Sequence, residues 1–371
     1  MALVLTGLVL VSTLYWLYAL ACVVRFRRRP LPGPTESPAV TILKPLCGAH
    51  PALYESLRSF CEQDYPDFQI VFGVRNPADP AVDVVNRLMD EFRTQNLKLV
   101  FTGRDVGVNP KVSNLAALYE NAEADVLVIA DSDIRVGRDY LQRVVAPLAD
   151  PAVGLVTCLY RGGGSGRGWG ALGRLFIDDW FFPSALVSAT GAPLRHAFGA
   201  TLVFRRRGLE DIGGFAALGE YLADDYMLGA LLAERGQRVV LSRYVVETRV
   251  AERSFGDLFF HELRWSRTMR AIRPVGFFCA AITYGFAWSA LALAMTPAAW
   301  PLVAVHAAVR VAVHRAARRA LDADATVSAW LLPARDALQV VLWAASFMGR
   351  SVRWGRDRFI VDGHGRITRA S

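Results

Sequence analysis

The chain has 371 residues and a formal net charge of +8, and 53% of its residues are hydrophobic. That length has room for one large domain or two ordinary ones. The apolar excess excludes a wholly soluble protein of average make-up, so part of the chain is expected in lipid. The positive charge is mostly arginine, gathered in RFRRRP, FRRRG, HRAARRA and RSVRWGRDRF. Lying beside apolar segments, these runs point to the anionic cytoplasmic face of a membrane and away from nucleic acid. Cys22, Cys47, Cys61, Cys158 and Cys279 show no paired spacing, which argues for a reducing compartment and against a disulfide framework or zinc site.

Ala2 to Val24 is uncharged and long enough to cross the hydrocarbon layer, and the arginines of RFRRR stop it. Because the positive charges follow the apolar run, residues 1–25 are expected to be a signal anchor with a cytoplasmic basic flank, not a cleaved leader. A Pro-rich linker over 26–38 then leads into residues 39–273, where short apolar runs alternate with helix-like stretches as in an α/β sandwich. AVTILKPL, FQIVFGVRN, LKLVFTG and DVLVIADSD read as strands; PALYESLRSFCEQ, DVVNRLMDEFRTQ and KVSNLAALYENA read as helices. The unbroken apolar run of DVLVIADSD suits a central strand covered on both faces.

In open α/β sheets ligands bind beyond the carboxyl ends of the strands, and both NPADPAVD and DSD fall at such ends. Asp131 and Asp133 on a rigid strand end can hold Mg²⁺ or Mn²⁺ together with phosphate oxygens, and such a cation neutralises a departing pyrophosphate. An ordinary Asp-Ser turn is the competing reading. There is no Walker or Rossmann fingerprint, and RGGGSGRGWG is expected as a flexible loop, either a lid or a plain linker.

TILKPLCG, DPAVDV, VGVNPKVSNL, ADSDIRV, LADDYMLG and HELRW occur in the order seen in ceramide glucosyltransferases, the family 21 glycosyltransferases, and in the bacterial relatives that glycosylate hopanoids. The chain resembles that family over nearly its whole length. It departs from the pattern at His261, which stands where the (Q/R)xxRW motif has Gln or Arg. The resemblance implies an α/β GT-A-type nucleotide-sugar-binding domain with a Rossmann-like mixed sheet, flanked by N-terminal and C-terminal transmembrane helices. It also implies roles for single residues. Asp79 and Asp83 match the first aspartate motif, which contacts the nucleotide; an Asp-Pro turn and a helix-start carboxylate are the plain alternative. Asp131 and Asp133 match the second, as ligands of metal and diphosphate. Lys111 and Asn114 are candidates to touch donor phosphates or sugar, Lys111 being equally readable as a solvated lysine at a helix start.

The family's Glu-Asp pair maps onto Asp224 and Asp225. With a helix starting near Asp224, Asp225 faces the cleft from the first turn as the candidate general base for an acceptor hydroxyl attacking the anomeric carbon. An acidic helix start that complements the dipole is the alternative. Arg264 suits a diphosphate through its planar fork, Trp265 offers a stacking face, and His261, three residues before Arg264, can share its helix face. An amphipathic helix resting on the membrane competes with that reading.

Beyond Pro274, residues 274–350 return to lipid. VGFFCAAITYGFAWSALALAM is long enough to span, LVAVHAAVRVAVH returns with Arg310 as a costly intruder, and ALQVVLWAASFMG is short for a span and reads as interfacial or re-entrant. Residues 351–371 form a basic tail. The expectation is a multi-pass protein of the bacterial inner membrane with a cytoplasmic catalytic domain, moving one sugar from a UDP-sugar to a lipid alcohol. Ceramide with UDP-glucose and a hopanoid polyol with UDP-N-acetylglucosamine are the two leading pairs. A processive polysaccharide synthase and a non-catalytic lipid-binding protein are the competitors.

Overall fold

The computed structural model describes residues 1–31, 33, 37–164, 166–250, 252–323, 327–355 and 357–370. They form two compact units: Met1–Arg29, Arg161–Thr190 and Val250–Ser371 make one, Pro30–Tyr160 and Gly191–Arg249 the other. The chain opens with helix α1 (Ala2–Arg28) and passes through β1 (Val40–Leu46), α2 (Leu53–Cys61), β2 (Phe68–Val74), α3 (Ala81–Glu91), β3 (Asn96–Phe101), α4 (Pro110–Glu120), β4 (Val126–Ile129), β5 (Ile134–Arg135), α5 (Tyr140–Val145) and β6 (Val153–Gly163). There follow α6 (Gly168–Leu175), a π-helical turn at Phe176–Phe181, α7 (Phe182–Ser188), β7 (Leu202–Arg205), α8 (Arg206–Asp211), α9 (Asp224–Glu234) and β8 (Arg238–Arg249). The last part comprises α10 (Phe255–Ile272), α11 (Pro274–Cys279), α12 (Gly285–Met295), α13 (Trp300–Leu321), α14 (Leu332–Phe347) and the strands β9 (Ser351–Trp354), β10 (Asp357–Val361) and β11 (Ile367–Arg369).

In the sheet unit eight strands lie in the order β3-β2-β1-β4-β7-β6-β8-β5. β1 pairs in parallel with β2 and β4, and β2 with β3; β7 then pairs antiparallel with both β4 and β6, and β8 with β5. The expected mixed sheet is therefore present, with β4 near its centre and all four of its residues buried. Sequence order runs 1-2-3 to one side and resumes with β4 on the other, so the β1/β4 border is the switch point where the outgoing loops part and leave a crevice. Ile42, Ile70, Phe72, Val128, Val203 and Phe60 pack in the core beneath it.

Several expectations need correction. α1 continues to Arg28, into the stretch read as linker; residues 32 and 34–36 of that stretch lie outside the described residues. RGGGSGRGWG is mostly ordered structure: Arg161–Gly163 lengthen β6 and Gly168 starts α6, with Ser165 outside the described residues. The extension is held because Gly162 N donates to Asp178 Oδ1 at 2.8 Å, and a Cβ on Gly162 would lie 2.9 Å from Arg174 Cγ. α6, α7 and α10 fall within the stretch 39–273 read as one domain, but they cluster with the apolar helices.

In the helical unit, α1 is long and apolar enough to cross a membrane, whereas the expected span after Pro274 is bent by 54° between Pro274–Thr283 and Gly285–Met295. Gly285 lets α1, α12 and α13 approach closely: a Cβ there would sit 2.2 Å from His306 Cε1 and 2.5 Å from Ser12 Oγ. Phe286 N, at the start of α12, donates to Asp336 Oδ2 at 3.1 Å, so the break has its backbone donor satisfied from α14. The intruding Arg310 pairs with Asp336 at 3.2 Å and lies 3.7 Å from the centre of the Trp16 ring. Arg335 of α14 clasps Glu262 of α10, both 2% exposed. These partners answer the cost of burying arginine, and they make α14 an internal strut where the sequence suggested an interfacial helix. The basic tail is a three-stranded antiparallel sheet, Arg356 lying outside the described residues.

Candidate active site

Four of the singled-out side chains gather at the carboxyl ends of β1 and β4. Asp131 lies two residues beyond the end of β4. Lys111, in the first turn of α4, reaches Asp131 Oδ1 at 2.9 Å and Asp224 Oδ2 at 3.3 Å, and Asp225 is the next residue of α9. Local structure explains why α4 starts where it does: Asn109 caps the helix, accepting from Lys111 N at 2.9 Å and Val112 N at 3.2 Å, with Pro110 behind it. Asn109 Nδ2 also donates to Tyr221 O at 2.7 Å, and Asn109 N to Gly219 O at 2.8 Å. The lysine helix is thus tied to the segment that delivers Asp224. Gly107 and Gly219 make that crossing possible, since a Cβ on Gly107 would sit 2.5 Å from Gly219 backbone atoms.

Burial opposes the charge on Lys111, yet Asp131, Asp224 and Asp225 together hold its ammonium above the ordinary lysine range. The carboxylates respond the other way. Burial lifts Asp225 to about 6, reinforced by Asp224 and offset in part by Lys111; burial likewise raises Asp224, against the pull of Lys111. A carboxylate poised near 6 in a cleft is what proton abstraction near neutral pH requires. Asp225 is held from below by Gly199, whose Cβ would lie 2.8 Å from Asp225 Oδ2, and the next residue, Tyr226, stacks on His196 with ring centres 5.1 Å apart.

Asp133 is set apart by its partners. Thr248 of β8 donates to Asp133 Oδ2 at 2.7 Å and Arg249 N to its backbone carbonyl at 3.2 Å. Its carboxyl is raised by burial and by Asp131, with the Thr248 bond acting in the opposite sense. Under this loop lies Lys44, which sequence reading passed over. It is fully buried in β1, its Nζ donates to the Asp131 carbonyl at 2.8 Å, and it rests 3.6 Å from the centre of the Phe60 ring. Burial drives its pKa down to about 7 in spite of Asp131 and Asp133. A lysine inside an apolar strand, as in TILKPL, was the available signal, since lysine is almost never fully buried without a partner.

Among the described residues no three His, Cys, Asp or Glu side chains form a closed metal cage. Mg²⁺ and Mn²⁺ need no such cage, being held by one or two carboxylates, substrate phosphates and water. Asp131 and Asp133, two oxygen-donor groups with Asp133 strained by desolvation, fit that requirement.

The remaining predicted residues are placed differently. Asp79 accepts from Gly48 N with both oxygens, at 3.0 and 2.9 Å, and from Ala81 N at 2.9 Å; it clips the loop after β1 to the start of α3. Asp83 is exposed in the first turn of α3. Asn114, expected to touch the donor, is 3% exposed and donates to Gly73 O of β2 at 2.9 Å; although it stands three residues after Lys111 on the same helix, its amide nitrogen is held by the sheet. In the helical unit, His261 Nδ1 meets Glu252 Oε1 at 2.8 Å and its ring lies 4.2 Å from that of Trp265, which stacks on Phe176 at 5.5 Å. One expected stacking face of Trp265 is therefore taken. Arg264 lines a groove with Phe260 and Arg267.

A parallel half-sheet continued by antiparallel strands, with an Asp-x-Asp turn at its switch point, is the GT-A glycosyltransferase fold. A mannosyltransferase from Pyrobaculum calidifontis, solved with GDP-Man and Mn²⁺, shares it: TM-score 0.56 and 24% identity, covering 91% of this chain and 98% of that one. The pattern of Glycosyl transferase family 21 matches residues 4–367, and the chain belongs to that family. Ceramide glucosyltransferase 1 of Caenorhabditis elegans is 28% identical over 280 residues, 73% of this chain and 59% of the relative. Ceramide glucosyltransferase of Komagataella phaffii is 33% identical over 126 residues, 33% of this chain and 25% of the relative. The chain thus spans 59% or less of these curated relatives' length.

Proposed function

We propose that the protein is a membrane-bound inverting glycosyltransferase that moves one sugar from a UDP-sugar to the hydroxyl of a lipid acceptor, with UDP-glucose and ceramide as the first pair to test. The observation that carries this reading is the convergence of Lys111, Asp131 and Asp224, with Asp225 beside them, at the switch point of a GT-A sheet. Asp225 takes the proton from the acceptor hydroxyl as that oxygen attacks the anomeric carbon; the bond to the nucleotide diphosphate breaks on the opposite face, and the centre inverts. Lys111 holds Asp131 and Asp224 in one arrangement and supplies positive charge near the leaving diphosphate. Lys44 fixes the backbone of the Asp131 turn from beneath. Asp131 and Asp133 would hold a divalent cation, which when bound neutralises developing charge on the diphosphate. The family resemblance supports a lipid acceptor, and α1 supports a membrane location with catalysis on the cytoplasmic side. Asp79 and Asp83 are assigned to the donor by that resemblance alone, whereas Arg264 is a candidate for the diphosphate through the paired hydrogen bonds of its guanidinium fork.

The test is a transfer assay in nanodiscs with UDP-glucose or UDP-N-acetylglucosamine, ceramide or a hopanoid polyol, and Mg²⁺ or Mn²⁺, read by mass spectrometry of the lipid fraction. A single-hexose shift on ceramide that is absent with Asp225→Asn is the expected result. A single N-acetylhexosamine on the hopanoid reassigns donor and acceptor, and a polymer reassigns the protein to a processive synthase. No product from folded protein with any pair rejects the reading.

A further inference from the structure

The arginine-rich C-terminal strands do not trail from the helical unit. They fold against α10: the Arg267 guanidinium donates to the Ser351 carbonyl, and Arg270 Nη2 to that of Gly349 at 2.7 Å. Gly365, in the turn between β10 and β11, sits so close to the end of α10 that a Cβ would lie 2.5 Å from Ile272 Cγ2. Between helix and sheet opens a groove of about 180 Å³ lined by Phe260, Arg264 and Arg267 of α10 and by Val352, Arg353 and Arg358 of the strands. Four arginines line it, and among the described residues none of those lining the groove is acidic.

Two features of this groove are unfavourable unless an anion completes it. Arg353 and Arg358 are direct cross-strand partners in the β9–β10 register, and like charges directly opposite each other destabilise an antiparallel pair. Arg267 is disfavoured further by burial and by the neighbouring charge of Arg270. A phosphate relieves both, because guanidinium forks bind its oxygens in pairs. The rim says which phosphate: Phe260 is 52% exposed and Ile360 is 45% exposed. Ile360 lies two residues after Arg358 and so on the same face of β10. Arginines beside exposed apolar side chains match the boundary between headgroups and acyl chains.

We infer that this groove binds the phosphate of an anionic lipid headgroup, docking the C-terminal sheet and the HELRW helix on an anionic membrane surface. The inference is carried by Arg353 and Arg358, to which the sugar-transfer reading gives no role, and its readout is lipid binding, so the two readings fail separately.

Full-length protein in neutral detergent is titrated with short-chain phosphatidylglycerol, short-chain phosphatidylcholine, inorganic phosphate and UDP, and binding is read from the unfolding midpoint. Saturable stabilisation by phosphatidylglycerol, much weaker stabilisation by phosphatidylcholine, and weakening with salt are expected. The double variant Arg353→Gln with Arg358→Gln should lose about thirtyfold in phosphatidylglycerol affinity, which is ~1 kcal/mol for each arginine near an anionic surface, and keep its response to UDP. Without lipid it should unfold no lower than the wild type, because the repelling pair is gone; a merely structural role for the arginines predicts the reverse and overturns the inference. If the double variant does not fold, Arg358→Gln alone is used, with about a fivefold loss expected and no loss overturning it. Equal stabilisation by the two lipids also overturns it. So does a response to phosphate or UDP that vanishes in the variant while the lipid has no effect, which reassigns the groove to a soluble phosphate.

Discussion

Replacing Asp225 with asparagine separates chemistry from folding, because the two respond in opposite directions. Asparagine keeps the size and much of the hydrogen bonding but cannot accept a proton, and a positioned general base contributes typically 10²–10⁴-fold to rate; a fall in kcat of that order is expected with little change in donor KM. Stability should rise. At about 1.4 kcal/mol per pH unit, raising this carboxyl from its ordinary 3.8 to about 6 costs roughly 3 kcal/mol, or roughly 2 kcal/mol after allowance for its partial exposure. The sign follows from linkage: with its folded pKa above its unfolded one, Asp225 destabilises the fold above pH 6, and the penalty fades as pH falls from 6 towards 3.8. The variant should therefore gain in urea or thermal unfolding at pH 7.5 and lose most of that gain by pH 4. The wild-type rate should fall below about pH 6 as Asp225 protonates. Two results refute the reasoning: an active Asp225→Asn enzyme, or an inactive one that is also less stable than wild type at pH 7.5.

Four further outcomes are expected. Lys44→Met should raise the requirement for donor and divalent cation by loosening the Asp131 turn. It should also flatten the stability profile between pH 7 and 10, where the wild type gains stability with pH because the folded lysine, at about 7, binds fewer protons than the unfolded one; unfolding midpoints at pH 7 and 9 check this. Gly199→Ala sets a methyl 2.8 Å from Asp225 Oδ2, so kcat should drop at least tenfold with circular dichroism unchanged, by steric displacement of the base. Arg335→Gln leaves Glu262 buried without its partner and should destabilise the helical unit by about 3–5 kcal/mol, whereas Arg335→Met with Glu262→Met should recover most of the loss; thermal unfolding of the three variants distinguishes them. Chelation of divalent cations should abolish transfer and added Mg²⁺ or Mn²⁺ restore it, and a chelator-resistant rate would remove the metal from Asp131 and Asp133.

Much of the sheet unit was legible in sequence because its signals are local. Unbroken apolar runs mark strands covered on both faces, KVSNLAALYENA marks a helix starting near Lys111, and the aspartates after VLVIA mark a strand mouth. The start of α9 at Asp224 followed from the same kind of reading. What failed was whatever depends on a distant partner. Asn114 reads as a polar residue beside Lys111, but the carbonyl of Gly73 on another strand claims it. The span after Pro274 reads as continuous, and only the close packing of Gly285 against Ser12 and His306 shows where it breaks. Arg310 reads as a cost, and Asp336 shows how it is met.

The alternation of strands and helices, the apolar N-terminal helix and the carboxylates at strand ends and helix starts follow from the residue order alone, because they depend on hydrophobic period and turn chemistry within a few residues. That Lys111 bridges Asp131 and Asp224, that Lys44 lies under the Asp131 turn, and that arginines more than eighty residues apart share one groove came from the folded chain. Charge interactions weaken with distance and solvent, so they act only after the fold has brought their partners together in a desolvated place.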